Sequence, residues 1–219
     1  MAKIEVAGKP VSVPDSREIH RILTPFCGAA LPESKIDLVQ RYLAILLFWN
    51  QRVSLTSMES AEEILARQFG ESLFAVSALS VEKGRLADVG SGAGFPGLAL
   101  KIFAPGFEVH LIEQNAKKAA FLNEAVRFLN FENIFVSGRD YRQFPNGQGA
   151  FDWITAKALG NYQGLLNWAR TRLLATGKLV LWLGSDDAAK ISCLAGWRWT
   201  PPIPIPESRR RILIAGTAT

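Results

Sequence analysis

The chain has 219 residues, is 48% hydrophobic, and carries 25 Lys and Arg against 20 Asp and Glu for a formal net charge of +5. That balance supports an α/β domain with an extension and excludes a disordered chain. No apolar run approaches the ~18 residues of a membrane-spanning helix. Met1 to Asp15 lacks the apolar stretch of a secretory signal, and the only two cysteines, Cys27 and Cys193, suggest neither a disulfide framework nor a zinc site. A cytoplasmic monomer is expected, and the basic excess favours an acidic partner such as RNA.

Asp15 to Ala30 has Ile19, Ile22, Leu23 and Phe26 on one helical face, with Asp15 as cap and Pro25 as an interruption. A second helix follows Ser34, with Ile36, Val39, Leu43 and Leu46 or Leu47 at helical spacing, and ends near Trp49-Asn50. Ser60-Ala61-Glu62-Glu63 forms a capping box that opens a third, burying Ile64, Leu65, Phe69, Leu73 and Val76. Residues 1–80 thus read as a helical extension. From Arg85 strands and helices alternate, as in a parallel sheet covered on both faces. Strands are predicted at Arg85–Val89, Phe107–Glu113, Asn133–Ser137, Phe151–Ala156 and Lys178–Leu183. Helices are predicted near Leu98–Phe103, Ala116–Leu129, Tyr162–Leu174 and Asp186–Leu194. Trp197–Trp199 and Arg210–Ala215 form a closing antiparallel pair around a Pro201–Pro206 loop that cannot be a central strand. Residues 81–219 therefore form one doubly wound unit.

The stretch Asp88-Val89-Gly90-Ser91-Gly92-Ala93-Gly94-Phe95-Pro96-Gly97 joins the first of these strands to a helix. Its glycines permit positive φ and let a ligand lie against bare backbone. Two cofactor classes use such a turn. Gly92-x-Gly94-x-x-Gly97 satisfies the dinucleotide fingerprint, and Glu113 follows by about 20 residues, where a ribose-binding acid is expected. Yet Asp88 stands two residues before Gly90. A carboxylate there would repel a pyrophosphate and suit the cationic amino-acid head of S-adenosylmethionine. Pro96 also removes a donor that a phosphate would use. The pattern favours S-adenosylmethionine over a nicotinamide cofactor.

The same stretch, with its Phe-Pro-Gly ending, resembles the glycine loop of the bacterial RsmG (GidB) family. Trp49-Asn50 with Leu55-Thr56-Ser57, Asn115 to Leu122, Glu132-Asn133-Ile134 with Arg139, and Phe151 to Ala158 are similar to further family segments in order and spacing. The resemblance covers roughly Leu38 to Ile214. It implies a class I S-adenosylmethionine-dependent methyltransferase: a Rossmann-like, doubly wound, mostly parallel sheet with an antiparallel edge strand, behind an N-terminal helical extension. The implied reaction is methylation of N7 of a guanosine in 16S ribosomal RNA, as free RNA or in the 30S subunit. Cofactor contacts are implied at Gly90, Phe95, Asp140, Tyr141 and Lys157. The residues themselves add Asp88, Gly92, Gly94 and Glu113, the last at a strand end where a carboxylate takes ribose hydroxyls; a helix-cap role for Glu113 is the competing reading. The chain departs from the family at Ser54, Gln68, Glu71 and Leu183, and Lys157 stands where the family has arginine. Lysine keeps the charge but loses the planar fork.

Guanine N7 has a free lone pair and no proton to remove, so no catalytic acid or base is nominated. His20 and His110 read as structural, and no metal-ligand pattern is present. Arg52, Lys101, Lys117, Lys118, Arg139, Arg142, Arg209, Arg210 and Arg211 are candidate RNA contacts through phosphate neutralisation. Phe95, Tyr141 and Trp153 are candidate stacking partners, Trp153 being more plausibly core. Two alternatives remain open: the same fold acting on another substrate, or a cofactor-binding RNA-binding protein without activity.

Overall fold

The computed structural model describes residues 1–27, 30–145, 150–160 and 162–219. The chain starts with an antiparallel hairpin, β1 (Ala2–Val6) and β2 (Lys9–Val13), so the extension expected to be helical has a strand pair at its head. Ala7 and Gly8, at φ 49° and 71°, make the two-residue turn that such a hairpin requires. Helix α1 (Ser16–Cys27) begins where Asp15 Oδ1 accepts the Glu18 N–H at 3.1 Å, and Pro25 lies within it. The expected continuation through residues 28 and 29 lies outside the described residues.

Helix α2 (Glu33–Asn50) buries Ile36, Val39, Tyr42, Leu43 and Leu46. Ser60 Oγ accepts the Glu63 N–H at 3.0 Å and opens α3 (Ala61–Ile64), as the capping box predicts. The single helix expected there is split: a π-turn over Leu65–Gly70 separates α3 from α4 (Glu71–Leu79). A π-turn adds a residue to the helical repeat and re-aims the side chains beyond it. Here it carries Gln68 and leads into Glu71, and both face the sheet's Lys157.

Among the described residues, seven strands lie along the main sheet, in the order β5-β4-β3-β6-β7-β10-β8, with the short β9 also paired to β10. They are β3 (Lys83–Val89), β4 (Gly106–Ile112), β5 (Ile134–Ser137), β6 (Phe151–Lys157), β7 (Leu173–Gly184), β8 (Trp197–Trp199), β9 (Ile203–Pro204) and β10 (Arg211–Ala218). β3 to β7 are parallel, while β10 runs antiparallel to both β7 and β8. The expected closing pair is thus present, and the proline run supplies only β9 at the edge. The connecting helices are α5 (Gly97–Phe103), α6 (Ala116–Phe128), α7 (Tyr162–Arg172) and α8 (Ser185–Ser192).

The sheet is covered on both sides. One core joins Tyr42, Leu43 and Phe69 of the N-terminal segment to Leu98, Ile102, Phe121 and Trp182; the other gathers Ile154, Leu165, Leu179, Ile191 and Ile214. The order of strands reverses beside β3, which has β4 on one side and β6 on the other. Doubly wound sheets bind ligands at the carboxyl ends of the strands at this reversal. Among the described residues no helix is long and apolar enough to cross a membrane.

One sequence expectation falls away here. Lys101, expected to touch RNA, is 8% exposed and donates from Nζ to the carbonyls of Pro105 and Phe107, closing the α5–β4 connection from inside. Arg142 is exposed and pairs with Asp140 at 2.6 Å. His20 meets Glu33 at 3.2 Å, and His110 meets Glu108 at 2.9 Å while stacking on Phe135.

Candidate active site

β3 ends at Val89 and the chain turns through Gly90, Gly92 and Gly94, at φ 71°, 57° and 87°. Side-chain-bearing residues seldom adopt such angles. The turn is tied to β4 by the Gly90 and Ser91 N–H groups, which donate to the Ile112 carbonyl at 2.8 and 3.2 Å. A Cβ at Gly92 would meet only the Gly90 carbonyl, at 3.8 Å, so this backbone is bare on the cavity side. At Gly94 a Cβ would collide with the Tyr42 hydroxyl, so that glycine serves close packing.

Tyr42 was not foreseen from the sequence. Its hydroxyl donates to the Ala93 carbonyl at 2.5 Å, and its ring stacks on Phe95 with centroids 5.0 Å apart; Phe69 packs edge-on against both rings. The N-terminal segment therefore clamps the turn.

Asp88 takes a different place from the one expected. Its carboxylate is 1% exposed, with Oδ2 accepting the Gly97 N–H at 3.0 Å and Oδ1 accepting the Thr155 hydroxyl at 2.9 Å. It sits behind the turn as an internal anion at the start of α5, and does not present a charge to a ligand's amino group. The consequence for cofactor choice survives by another route, because the helix end that would bind a pyrophosphate already holds a carboxylate.

Burial raises the Asp88 carboxyl from 3.8 to about 6, against the hydrogen bonds from Gly97, Thr155 and Ser91. A folded-state pKa above the unfolded one gives a contribution that is full below the unfolded value and is lost as pH rises through about 6. Asp88→Asn removes this titration. Urea unfolding is expected to show wild type losing up to roughly 2–3 kcal/mol relative to D88N between about pH 4 and pH 6. A pH-independent difference would mean that Asp88 carries no shift.

Glu113 stands just past β4, 7% exposed. Oε2 accepts the Gly92 N–H at 2.8 Å and Oε1 accepts the Asn115 N–H at 2.8 Å. The cap of α6 is Asn115, whose Oδ1 accepts from Lys117 and Lys118. Glu113 braces the turn and the helix entry together, and an ionised carboxylate has lone pairs beyond those two bonds.

Two cavities meet at Gly90 and Glu113. The smaller, about 200 Å³, is lined by Ile112, Arg139, Asp140, Tyr141 and Leu159 besides these two. Asp140 caps the short turn Tyr141–Gln143, and the Arg142 guanidinium holds its carboxyl down to about 2. Tyr141 packs edge-on against Trp168. The larger cavity, about 360 Å³, runs past Ser91, Gly92 and Phe95 to Lys118, Lys157 and Arg211. Its outer wall is the loop Leu55–Met58, shaped by Asn50 Oδ1, which accepts the Leu55 and Thr56 N–H groups at 2.9 and 3.0 Å.

Lys157, at the end of β6, closes the floor. Its ammonium lies 2.9 Å from Glu71 Oε2 and donates to Gln68 Oε1 at 3.0 Å and to the Arg67 carbonyl. Burial lowers its pKa, and Glu71 opposes that shift. Glu71 Oε1 also faces Arg211 Nε at 3.5 Å. The residues noted as departures, Gln68 and Glu71, are thus the partners of the departing Lys157.

The cavities bring together Gly90, Gly92, Phe95, Glu113, Asp140, Tyr141 and Lys157; Asp88 and Gly94 support the turn from behind. Of the expected RNA contacts, Lys118, Arg139 and Arg211 line the cavities, while Arg52 lies over the Phe48 ring, 4.8 Å from its centroid. Trp153 donates from Nε1 to the Lys83 carbonyl at 3.2 Å and takes no part in the cavities' lining. Among the described residues no group of three or more His, Cys, Asp or Glu could hold a metal ion.

A family model described as rRNA small subunit methyltransferase G matches residues 35–196. Ribosomal RNA small subunit methyltransferase G of Roseiflexus castenholzii is 37% identical over 212 residues, covering 90% of this chain and 88% of that protein. The protein of the same name from Desulfitobacterium hafniense is 32% identical over 183 residues, covering 82% and 76%. In three dimensions, a SAM-dependent methyltransferase from Aquifex aeolicus superposes with a TM-score of 0.62 at 14% identity, over 76% of this chain and 97% of its own. The fold is that of the S-adenosylmethionine-dependent methyltransferases, and the chain belongs to the GidB family, rRNA small subunit methyltransferase G.

Proposed function

We propose that the protein transfers a methyl group from S-adenosylmethionine to N7 of a guanosine in small-subunit ribosomal RNA. The observation that carries this reading is the pair of cavities joined at Gly90 and Glu113, at the strand reversal of a chain in this family. The residues present fit the methyl donor. Glu113 would take the ribose hydroxyls, Asp140 and Tyr141 the adenine side, and the bare backbone of Gly90 and Gly92 with Phe95 the methionine part. When bound, the sulfonium supplies an electrophilic methyl group.

The chain's contribution is placement. Guanine N7 attacks with its own lone pair, so no residue has to accept a proton. Fixing two reactants in line can account for ~7–11 kcal/mol of a barrier. Lys157, neutralised by Glu71 and with its remaining N–H groups on Gln68 and Arg67, shapes the floor of the larger cavity without leaving a bare positive charge beside the cationic product. Ribosomal RNA or the 30S subunit as substrate, and a cytoplasmic location, belong to the same reading.

The test is incubation with a labelled methyl donor and unmethylated 16S RNA, free and in 30S subunits, with the modified base mapped. Label at N7 of one guanosine is expected. Label on another atom or substrate, or none despite S-adenosylhomocysteine binding, would replace this reading.

A further inference from the structure

A third cavity, of about 420 Å³, abuts the methyl-transfer cavity and has Glu71 and Arg211 in its wall. Arg211 lines both cavities. Around the new one stand Arg67, Arg209 and Arg210 on the basic side and Glu71 and Glu207 on the acidic side. Glu71 is already engaged by Lys157 and Arg211. Arg67 is paired with Glu63 at 2.9 Å. Among the described residues, the exposed guanidinium groups of Arg209 and Arg210 have no ion-pair partner.

The loop that presents them is built. Ile205 N–H donates to the Arg211 carbonyl at 3.1 Å, and Ser208 Oγ accepts the Arg211 N–H at 3.1 Å. Ser185 N–H donates to the Arg210 carbonyl at 3.0 Å, tying the loop to the start of α8. Arg211 opens β10 opposite Gly184, the last residue of β7, so the cations stand at the ligand-binding end of the sheet.

We infer that this cavity is a subsite for the phosphodiester next to the target nucleotide, with Arg209 and Arg210 on the phosphate and Arg211 as the wall between phosphate and base. The inference rests on the proposed RNA methylation and deepens it. The enzyme would take its base as part of a polynucleotide strand, and the phosphate would fix which base reaches the floor at Lys157. Arginine suits the task, since its fork matches a phosphate's oxygens and remains charged at any working pH.

The experiment measures the affinity of unmethylated 16S RNA transcript for the full-length protein between about 50 and 200 mM salt. It compares wild type with Arg209→Ala/Arg210→Ala and with Lys3→Ala/Lys9→Ala, which removes the same charge from two exposed positions of the N-terminal hairpin. S-adenosylhomocysteine affinity is read on each. The arginine pair is expected to lose roughly tenfold or more in RNA affinity and about two units of salt slope. The lysine pair and every S-adenosylhomocysteine affinity should stay near wild type. Equal losses from the two pairs would reduce the effect to overall charge and overturn the subsite, and so would an arginine variant that binds RNA like wild type. Tight binding of an acidic protein instead of RNA would also overturn it. Wild-type methylation at N7, followed separately, decides the underlying reading without deciding the subsite.

Discussion

Replacing Glu71 with alanine is expected to lower folding stability by about 3–5 kcal/mol, the usual cost of leaving a buried charge without its partner. Glu71 is 3% exposed, Lys157 is buried beside it at 2.9 Å, and Arg211 approaches from the other side at 3.5 Å. The truncation leaves the ammonium with the Gln68 and Arg67 carbonyl oxygens alone. Urea unfolding measures the loss. A second variant, Glu71→Ala/Lys157→Met, is expected to recover much of it, because methionine removes the ammonium left without its partner while keeping the bulk of the lysine side chain. If the double variant is no more stable than the single one, the ion pair is not the source. The pH profile gives a further check. A lysine whose pKa burial lowers below that of the unfolded chain makes stability rise with pH, since the unfolded state holds the extra proton. That rise should steepen in Glu71→Ala, where nothing opposes desolvation.

Glu113→Gln is expected to weaken S-adenosylhomocysteine binding by roughly 10- to 100-fold, the range for a lost hydrogen bond to a charged group. Both carboxylate oxygens are acceptors in the structure, toward Gly92 and Asn115. Glutamine offers one oxygen and one NH₂, so one of these backbone donors faces another donor and the turn loosens where the ligand would rest. On the proposed reading the ribose hydroxyls would lose a charged partner at the same time. Calorimetric titration checks the affinity and thermal unfolding the fold. A variant that unfolds earlier yet binds normally would reduce Glu113 to a brace between the turn and α6.

The parts of the fold that were legible in the sequence are those set by near neighbours in the chain. Ser60 and Asp15 cap their helices because a short side-chain oxygen lies within reach of an N–H three residues on. The five parallel strands stand where apolar runs end in turn residues, and the glycine turn is bent where positive φ is needed. The hairpin at β1 and β2 escaped notice because each strand has only five residues and Pro10 stands in the second. The π-turn escaped notice because Leu65, Phe69 and Leu73 recur every four residues, as they would along an uninterrupted α-helix.

The candidate site divides in the same way. Sequence alone determined the turn, the acid at the end of β4 and the presence of Lys157, since each is fixed by position on its own strand. Only the tertiary structure decided which way the charges point. Asp88 turned inward to meet Gly97 and Thr155, and Lys101 turned under its helix to meet two carbonyls. Tyr42 reached Ala93 from 51 residues away, and Gln68 reached Lys157 from 89. The physical reason is desolvation: a charged or polar side chain closed off from water must find a partner, and that partner is supplied by packing between distant segments.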